Sequence, residues 1–293
     1  LEEPSTHKSP RFSLVVSTIG RQAELARLFD SLVSQKRDDI EVLIVDQSEG
    51  QQVSDLIRDY KGTLTLRHIP CQRRGVSVGR NMGWDHAIGE IISFPDDDCW
   101  LPPGFLDEID IRFIRDARLA GLTTNVKTLS RCDRTGGIVN RKNIFGRCIE
   151  FALFVRRELI GDLRYDEKLG VGAGTKWGAD EGPDLMLRMI DRSLTIEYFP
   201  ELYIFHPSPE NLPLPKLIAR TRAYAFGRGY LYRKHEFSKW QIARSLTRST
   251  MGIMVACGTL DWRRALVRAV AVGSTLKAYR EAKCDVDCLE KSS

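Results

Sequence analysis

The chain has 293 residues, 42% of them hydrophobic and 28% charged, with a formal net charge of +5. That length and balance fit one large α/β domain with an appendage and exclude a disordered or fibrous chain. No apolar run approaches the roughly 18 residues that span a bilayer, which excludes a transmembrane helix, and the opening LEEPSTHKSP has no apolar core of a secretory signal.

The first 11 residues are polar and carry two prolines, so a loose arm is expected at 1–11. FSLVVST (12–18) reads as a buried strand. RQAELARLFDSLVSQ follows with Leu25, Leu28, Phe29 and Leu32 at helical spacing. IEVLIVD (40–46) is a second strand, QQVSDLIRDY a helix and LTLRHI a third strand. VSVGRNMGWDHAIG is read as a helix ended by Gly89, and EIISFPD (90–96) as a fourth strand. This β-α-β-α-β-α-β alternation predicts a mostly parallel sheet flanked by helices. Ligands of such sheets bind beyond the carboxyl ends of the strands. Those ends carry Ser17-Thr18, Asp46-Gln47 and Asp96-Asp97-Asp98.

A helix is expected from Pro103 to about Ala117, a less regular stretch over 119–160, and a strand passing into a helix in FALFVRRELI. GVGAGTKWGADEGPDLMLRMI opens as a glycine-rich loop and closes as a helix, with Pro183 at its first position. LTIEYFP is a short strand, and the chain reads as helical from Pro215 to about Ala282. The expected division is therefore an arm at 1–11, an α/β domain at 12–212 and a helical region at 213–293. No G-x-G-x-x-G or G-x-x-x-x-G-K-[ST] follows the first strand, so no glycine-rich loop cradles a phosphate. The seven cysteines form no C-x-x-C pair, which suits reduced cytosolic thiols rather than a zinc site.

Three adjacent carboxylates at the end of a core strand repel one another unless a cation compensates them. A turn-forming acidic cluster is the plain alternative. A divalent cation with oxygen ligands is the simplest compensation, and it would bridge to a diphosphate without a glycine cradle.

Taken together, SLVVSTIGR, EVLIVDQSEG, GVSVGRNMGWDHAIGEIISFPDDDCWLPPGF and WGADEGPDLMLR resemble a family 2 glycosyltransferase of the GT-A fold, similar to bacterial enzymes of surface-polysaccharide assembly. The resemblance covers roughly the first 210 residues. It implies a Rossmann-like GT-A sheet, a nucleotide-diphosphate sugar donor, Mn²⁺ or Mg²⁺, and inversion at the anomeric carbon. Transfer of a hexosyl or deoxyhexosyl group would be the reaction. The resemblance further puts Thr18 and Asp46 at the nucleoside, with Gln47 where the family often has a second Asp. It puts Arg80 and Asn81 on the helix before the aspartates, where packing and capping are equally open readings. Aligned on Pro102, Asp97 is assigned to the metal, Asp96 to the ribose or sugar, and Asp98 to the metal or its surroundings. His206 would join the metal or diphosphate, although a lone His is more often structural.

An inverting transfer needs a base for the acceptor hydroxyl. The family's acidic motif falls at Asp180-Glu181-Gly182-Pro183-Asp184, with Gly182 where an Asp is usual. Glu181 is the preferred base, Asp180 the reserve, and Asp184 a structural residue or acceptor contact; an acidic helix cap is the alternative. Trp100 and Trp177 suit a sugar ring or core packing equally.

From Leu214 to Lys283 the chain has 15 Lys/Arg and 3 Asp/Glu, leaving the remainder at about −7. With its apolar spacing, this tail fits an interfacial platform on anionic lipid as well as a solvated helical face. No nucleic-acid module accompanies it, so no nucleic-acid partner is expected. A lipid-linked saccharide acceptor and a peripheral place at the inner face of a bacterial membrane complete the expectation. The alternatives are a sugar nucleotidyltransferase, which would want a basic glycine-rich loop after the first strand, and a non-enzymatic membrane- or anion-binding protein with a degenerate transferase body.

Overall fold

The computed structural model describes residues 9–127, 133–207 and 212–290. Most of the arm expected at 1–11 lies outside the described residues. The chain divides into two units, Leu1–Tyr165 with Leu185–Pro207, and Asp166–Asp184 with Ser208–Ser293. This differs from the expected cut at 212/213, because the glycine-rich loop groups with the C-terminal helices.

Among the described residues the first unit is built on an eight-stranded sheet. Strands β1 (Phe12–Thr18) and β2 (Ile40–Asp46) are continuous apolar runs buried on both faces, as a central parallel strand requires. Beside them lie the half-exposed β3 (Thr65–Pro70) and the short β4 (Ile91–Ser93). The order is β3-β2-β1-β4, all parallel. The sheet continues through β5 (Leu119–Val126), β6 (Gly137–Ile138), β7 (Leu153–Arg156) and β8 (Thr195–Ile204) in the order β7-β5-β8-β6, with β7 antiparallel to both neighbours. Thr18 is level with Asp46, and Asp46 with Pro70, so the carboxyl ends of β1 to β3 form one edge. The chain runs β1-β2-β3 in one direction and then returns to place β4 on the other side of β1, which makes β1/β4 the switch point where a crevice opens.

Helix α1 (Gln22–Val33) buries Leu25, Leu28, Phe29 and Leu32, each worth roughly 1.5–3 kcal/mol. Helices α2 (Gln52–Asp59) and α3 (Val76–His86) complete the predicted alternation. Gly83 lets α3 sit almost on β1, since a Cβ there would come 2.3 Å from Val15. The helix ends at His86 rather than at Gly89, because Ala87 is already extended. Gly89 serves another need: a Cβ there would lie 2.7 Å from the Ser13 amide nitrogen. Helix α4 (Phe105–Arg115) follows the aspartates. Strand β5 falls in the stretch read as irregular; its Thr123-Thr124-Asn125 masks a run that is buried nearly throughout. Short helices α5 (Ile144–Arg147) and α6 (Arg157–Ile160) flank β7, so FALFVRRELI is a strand passing into a helix as expected. Helix α7 (Glu181–Asp191) begins two residues before Pro183, and β8 runs on past LTIEYFP to Ile204.

The second unit holds α8 (Leu214–Lys234), α9 (Lys239–Gly258) and α10 (Trp262–Glu290). Ser238 starts α9 with a capping box to Gln241. A core of Leu169, Trp177, Tyr230, Ala278 and Ala282 joins the loop to α8 and α10. Among the described residues Cys71, Cys99, Cys148 and Cys257 are free thiols.

Candidate active site

At the switch point the chain leaves β4 and turns at once. Cys99 N donates to Asp96 O at 3.1 Å, which closes the turn around the three aspartates. The three carboxylates meet different partners. Asp97 turns inward and is buried. Thr18 Oγ1 donates to its Oδ2 at 2.6 Å, and Arg21 binds it through Nη2 and, at 3.2 Å, through Nε. Burial raises the Asp97 pKa above the usual carboxylate value, against the pull of Thr18 and Arg21.

Asp96 and Asp98 turn the other way, toward His206. A pair of backbone bonds, Trp100 N to Phe205 O at 3.1 Å and Phe205 N to Trp100 O at 2.9 Å, brings His206 beside the turn. His206 Nε2 lies 3.2 Å from Asp98 Oδ1 and 4.0 Å from Asp96 Oδ2. Its Nδ1 donates to the Pro207 carbonyl at 2.7 Å, and Phe151 stacks on the ring at 4.6 Å. A carbonyl only accepts, so Nδ1 carries the hydrogen and the neutral ring presents the Nε2 lone pair to the carboxylates. Burial works against a charged His206, but Asp98 and Asp96 outweigh it and raise its pKa. Burial likewise opposes the Asp98 carboxylate, yet His206 and Arg21 hold its pKa down at about 2.

The donor atoms of Asp96, Asp98 and His206 all lie within 4.8 Å of one another. Asp98 Oδ1 is buried and accepts no regular hydrogen bond. Two hard oxygens and an imidazole whose other nitrogen is tied to a carbonyl fit Mn²⁺ or Mg²⁺, with positions left for phosphate oxygens. The expected roles meet these surroundings. Asp97, assigned to the metal, is enclosed by Thr18 and Arg21, while Asp96, assigned to the sugar, faces His206 together with Asp98. Arg21 Nη1 also donates to Asp98 Oδ2 at 2.8 Å, so Asp98 is shared between Arg21 and His206.

The remaining expected residues fall into three places. Thr18 holds Asp97 rather than facing the β2 edge. Arg80 is buried and donates from Nη2 to Asp96 Oδ1 at 2.9 Å, with its guanidinium 5.3 Å from the Tyr165 ring. Asn81 braces the chain by exchanging two bonds with the Tyr165 backbone, at 2.9 and 2.8 Å. Asp46 and Gln47 line a cleft of about 770 Å³ with Ser48, His68, Cys71 and Arg74. Asp46 accepts from Ser48 N at 2.9 Å and from Ser48 Oγ at 2.5 Å, and its other oxygen faces His68 Nε2 at 3.0 Å. Gln47 Nε2 donates to Gly75 O at 2.9 Å. Trp100 has Phe205 stacked on it at 5.2 Å and the Arg27 guanidinium 4.1 Å from its ring, and Trp177 packs on Tyr230, so both serve packing.

In the second unit the acidic motif is heavily braced. Asp180 has a left-handed backbone (φ 70°) and is gripped by the Nε and Nη2 of Arg228. Asp184 has no exposed surface; Lys234 Nζ lies 2.7 Å and His235 Nε2 2.9 Å from its Oδ1. Asp184 is thus enclosed by Lys234 and His235. Glu181 stands at the first turn of α7, where the helix dipole favours a carboxylate.

Arg21, His68, Arg228, Lys234 and His235 escaped the sequence reading as site residues. Arg21 carried a signal, as a cation immediately after the first strand end. The others are brought in by packing and left none.

The glycosyl transferase family 2 model matches residues 13–158. EpsH of Bacillus subtilis, named as a glycosyltransferase, is 28% identical over 103 residues, 35% of this chain and 30% of that protein. A Campylobacter jejuni enzyme, GalNAc(5)-diNAcBac-PP-undecaprenol beta-1,3-glucosyltransferase, is 27% identical over 103 residues, 34% of this chain and 33% of that protein. The match thus spans about a third of the curated relatives. Among solved structures, a mannosyltransferase from Pyrobaculum calidifontis in complex with GDP-Man and Mn²⁺ superposes with a TM-score of 0.62 at 16% identity, covering 93% of this chain and 88% of that one. S. aureus TarS 1-349 in complex with UDP-GlcNAc gives 0.56 at 16% identity, covering 97% and 92%. The likeness to these structures concerns the fold, a GT-A sheet.

Proposed function

Because the chain belongs to glycosyl transferase family 2, we propose that it is an inverting, metal-dependent enzyme moving a sugar from a nucleotide-diphosphate sugar to a saccharide acceptor carried on a lipid. Surface-polysaccharide assembly, at the inner face of a bacterial membrane, is the setting that suits this reaction. The observation that carries the reading is the convergence of Asp96, Asp98 and His206 at the carboxyl edge of the parallel strands.

Asp96, Asp98 and His206 would hold the cation, which supplies Lewis-acid stabilisation of the departing diphosphate. Thr18 holds Asp97 inside the turn, and Arg21, paired with both Asp97 and Asp98, is a charge that the cation would displace from Asp98. Arg80 orients Asp96 from behind. The cleft at Asp46 and Gln47 suits the nucleoside, with the Gln47 amide able both to donate and to accept toward a base. Glu181 takes the proton of the acceptor hydroxyl; Asp180 and Asp184 are committed to cations and hold the segment that carries it.

A panel of sugar nucleotides, scored by thermal stabilisation with and without Mn²⁺, tests the donor, since a ligand of the native state raises apparent stability. One metal-dependent hit, followed by transfer to a lipid-linked acceptor with inverted anomeric configuration, is expected. No stabilisation by any sugar nucleotide with Mn²⁺ present would remove the proposal.

A further inference from the structure

The second unit carries a surface that sugar transfer does not use. Along α9 the exposed Trp240, Ala243, Arg244, Thr247, Met251, Met254 and Val255 share one face at helical spacing, and the exposed Lys239, Thr250 and Cys257 flank it. Ile242 and Ala256, on the other side of the helix, are buried. On α10 the exposed Trp262, Leu266, Ala269, Gly273 and Leu276 likewise share one face with the exposed Lys277 and Arg280, while Arg263 and Arg264 are exposed to its side. The turn between the helices presents Leu260, 86% exposed and in a left-handed backbone at φ 57°. Glycine or asparagine would adopt that backbone more readily, so a bulky apolar residue at the tip runs against local preference. Trp240 and Trp262, 74% and 67% exposed, stand at the first turns of their helices.

Charge selects the occupant. Residues 239–280 contain eight Lys/Arg and a single acidic residue, Asp261. Arg244 on α9 and Lys277 and Arg280 on α10 are exposed on the same faces as these apolar residues. A surface meant for water mixes both signs and avoids tryptophan; a transmembrane hairpin avoids cations. No helix among the described residues is long and apolar enough to cross a membrane. Basic residues interleaved with Trp, Met and Leu match the boundary of an anionic bilayer, where aromatic rings sit at headgroup level and cations meet phosphate. A nucleic acid would use the cations but leave the apolar stripes unburied.

We infer that the α9–α10 hairpin docks flat on an anionic lipid bilayer through Trp240, Met254, Leu260 and Trp262. The inference deepens the transferase reading, because a lipid-linked acceptor is presented at that surface.

Co-sedimentation of the full chain with phosphatidylcholine vesicles and with vesicles doped with phosphatidylglycerol tests it. Binding is expected to the doped vesicles, falling with added salt. Each of Arg244→Gln and Arg280→Gln, exposed within the two stripes, is expected to weaken binding about fivefold at low salt, and Trp240→Ser with Trp262→Ser roughly tenfold or more. Equal binding to both vesicle types, binding unchanged by these substitutions, a preference for single-stranded DNA over doped vesicles, or a dimer abolished by the Trp pair would each overturn the inference. Metal-dependent stabilisation by a sugar nucleotide, measured on the same variants, should stay at the wild-type level. Its retention when vesicle binding fails marks the docking inference alone as wrong; its absence from the wild type marks the transferase reading.

Discussion

Asp184 offers a quantitative test of how the acidic segment is held. Its carboxylate is fully buried between Lys234 Nζ at 2.7 Å and His235 Nε2 at 2.9 Å. Removing one partner of a buried ion pair costs about 3–5 kcal/mol, because the other charge is left without compensation. Lys234 keeps a second carboxylate, Asp166, at 2.7 Å, which puts the ion-pair loss at the lower end. The bond at His235 adds about 1 kcal/mol. Asp184→Ala is therefore expected to lower stability by about 3–4 kcal/mol. Two units need not unfold in one transition, so the loss is best read by urea titration with hydrogen exchange resolved along α7 and α8. In a double-mutant cycle, Lys234→Met should recover at least about 1 kcal/mol of the loss. A change below about 1 kcal/mol in Asp184→Ala, or additivity with Lys234→Met, would refute the anchoring role.

Four further outcomes follow from the geometry. Arg21→Gln removes a cation bound to both Asp97 and Asp98; a charge at such range is worth about 1–4 kcal/mol, so Mn²⁺ binding to the variant should tighten roughly tenfold by calorimetry. In the metal-free protein the raised His206 pKa means its proton stabilises the fold below the unfolded value of 6.5, and that contribution is lost as pH rises through the folded value. Mn²⁺ must displace this proton, so its affinity should climb about tenfold per pH unit below the folded value and then level off; a flat profile would place His206 outside the site. Gly227→Ala puts a Cβ 2.3 Å from Ala179 O, and the overpacking should cost about 1–3 kcal/mol and loosen the neighbouring Asp180–Arg228 clamp, read as faster exchange at 178–182. Asp46→Ala should weaken sugar-nucleotide binding at least about tenfold while leaving Mn²⁺ binding to the apo-protein within about twofold.

Much of the α/β frame can be read directly from the chain. The runs at 12–18 and 40–46 are mainly apolar and only seven residues long, and the amphipathic helix between them decides for strands over buried helix segments. Strand β5 hides because Thr123, Thr124 and Asn125 look like loop, although Thr123 is buried with its hydroxyl 3.4 Å from Ile149 O. The aspartate run announces a charged site at a strand end, but composition says nothing about which side each carboxylate faces. That depends on the turn after β4 and on Arg21, one strand away. His206 could be suspected but not placed, because the Trp100–Phe205 bridge that delivers it joins distant parts of the chain. The end of α3 is hidden for a related reason: Gly89 is required by its approach to Ser13, not by the helix it follows.

The central claim is that Asp96, Asp98 and His206 hold the divalent cation that engages the donor diphosphate. It is tested most directly by titrating Mn²⁺, followed by its paramagnetic resonance, into the wild type, Asp97→Asn and Asp98→Asn, with and without the sugar nucleotide found by thermal stabilisation. The account predicts a wild-type site tightened by the donor, a loss of at least about tenfold in Asp98→Asn, and a smaller loss in Asp97→Asn. Equal Mn²⁺ affinity in the wild type and Asp98→Asn, or a loss confined to Asp97→Asn, would contradict it.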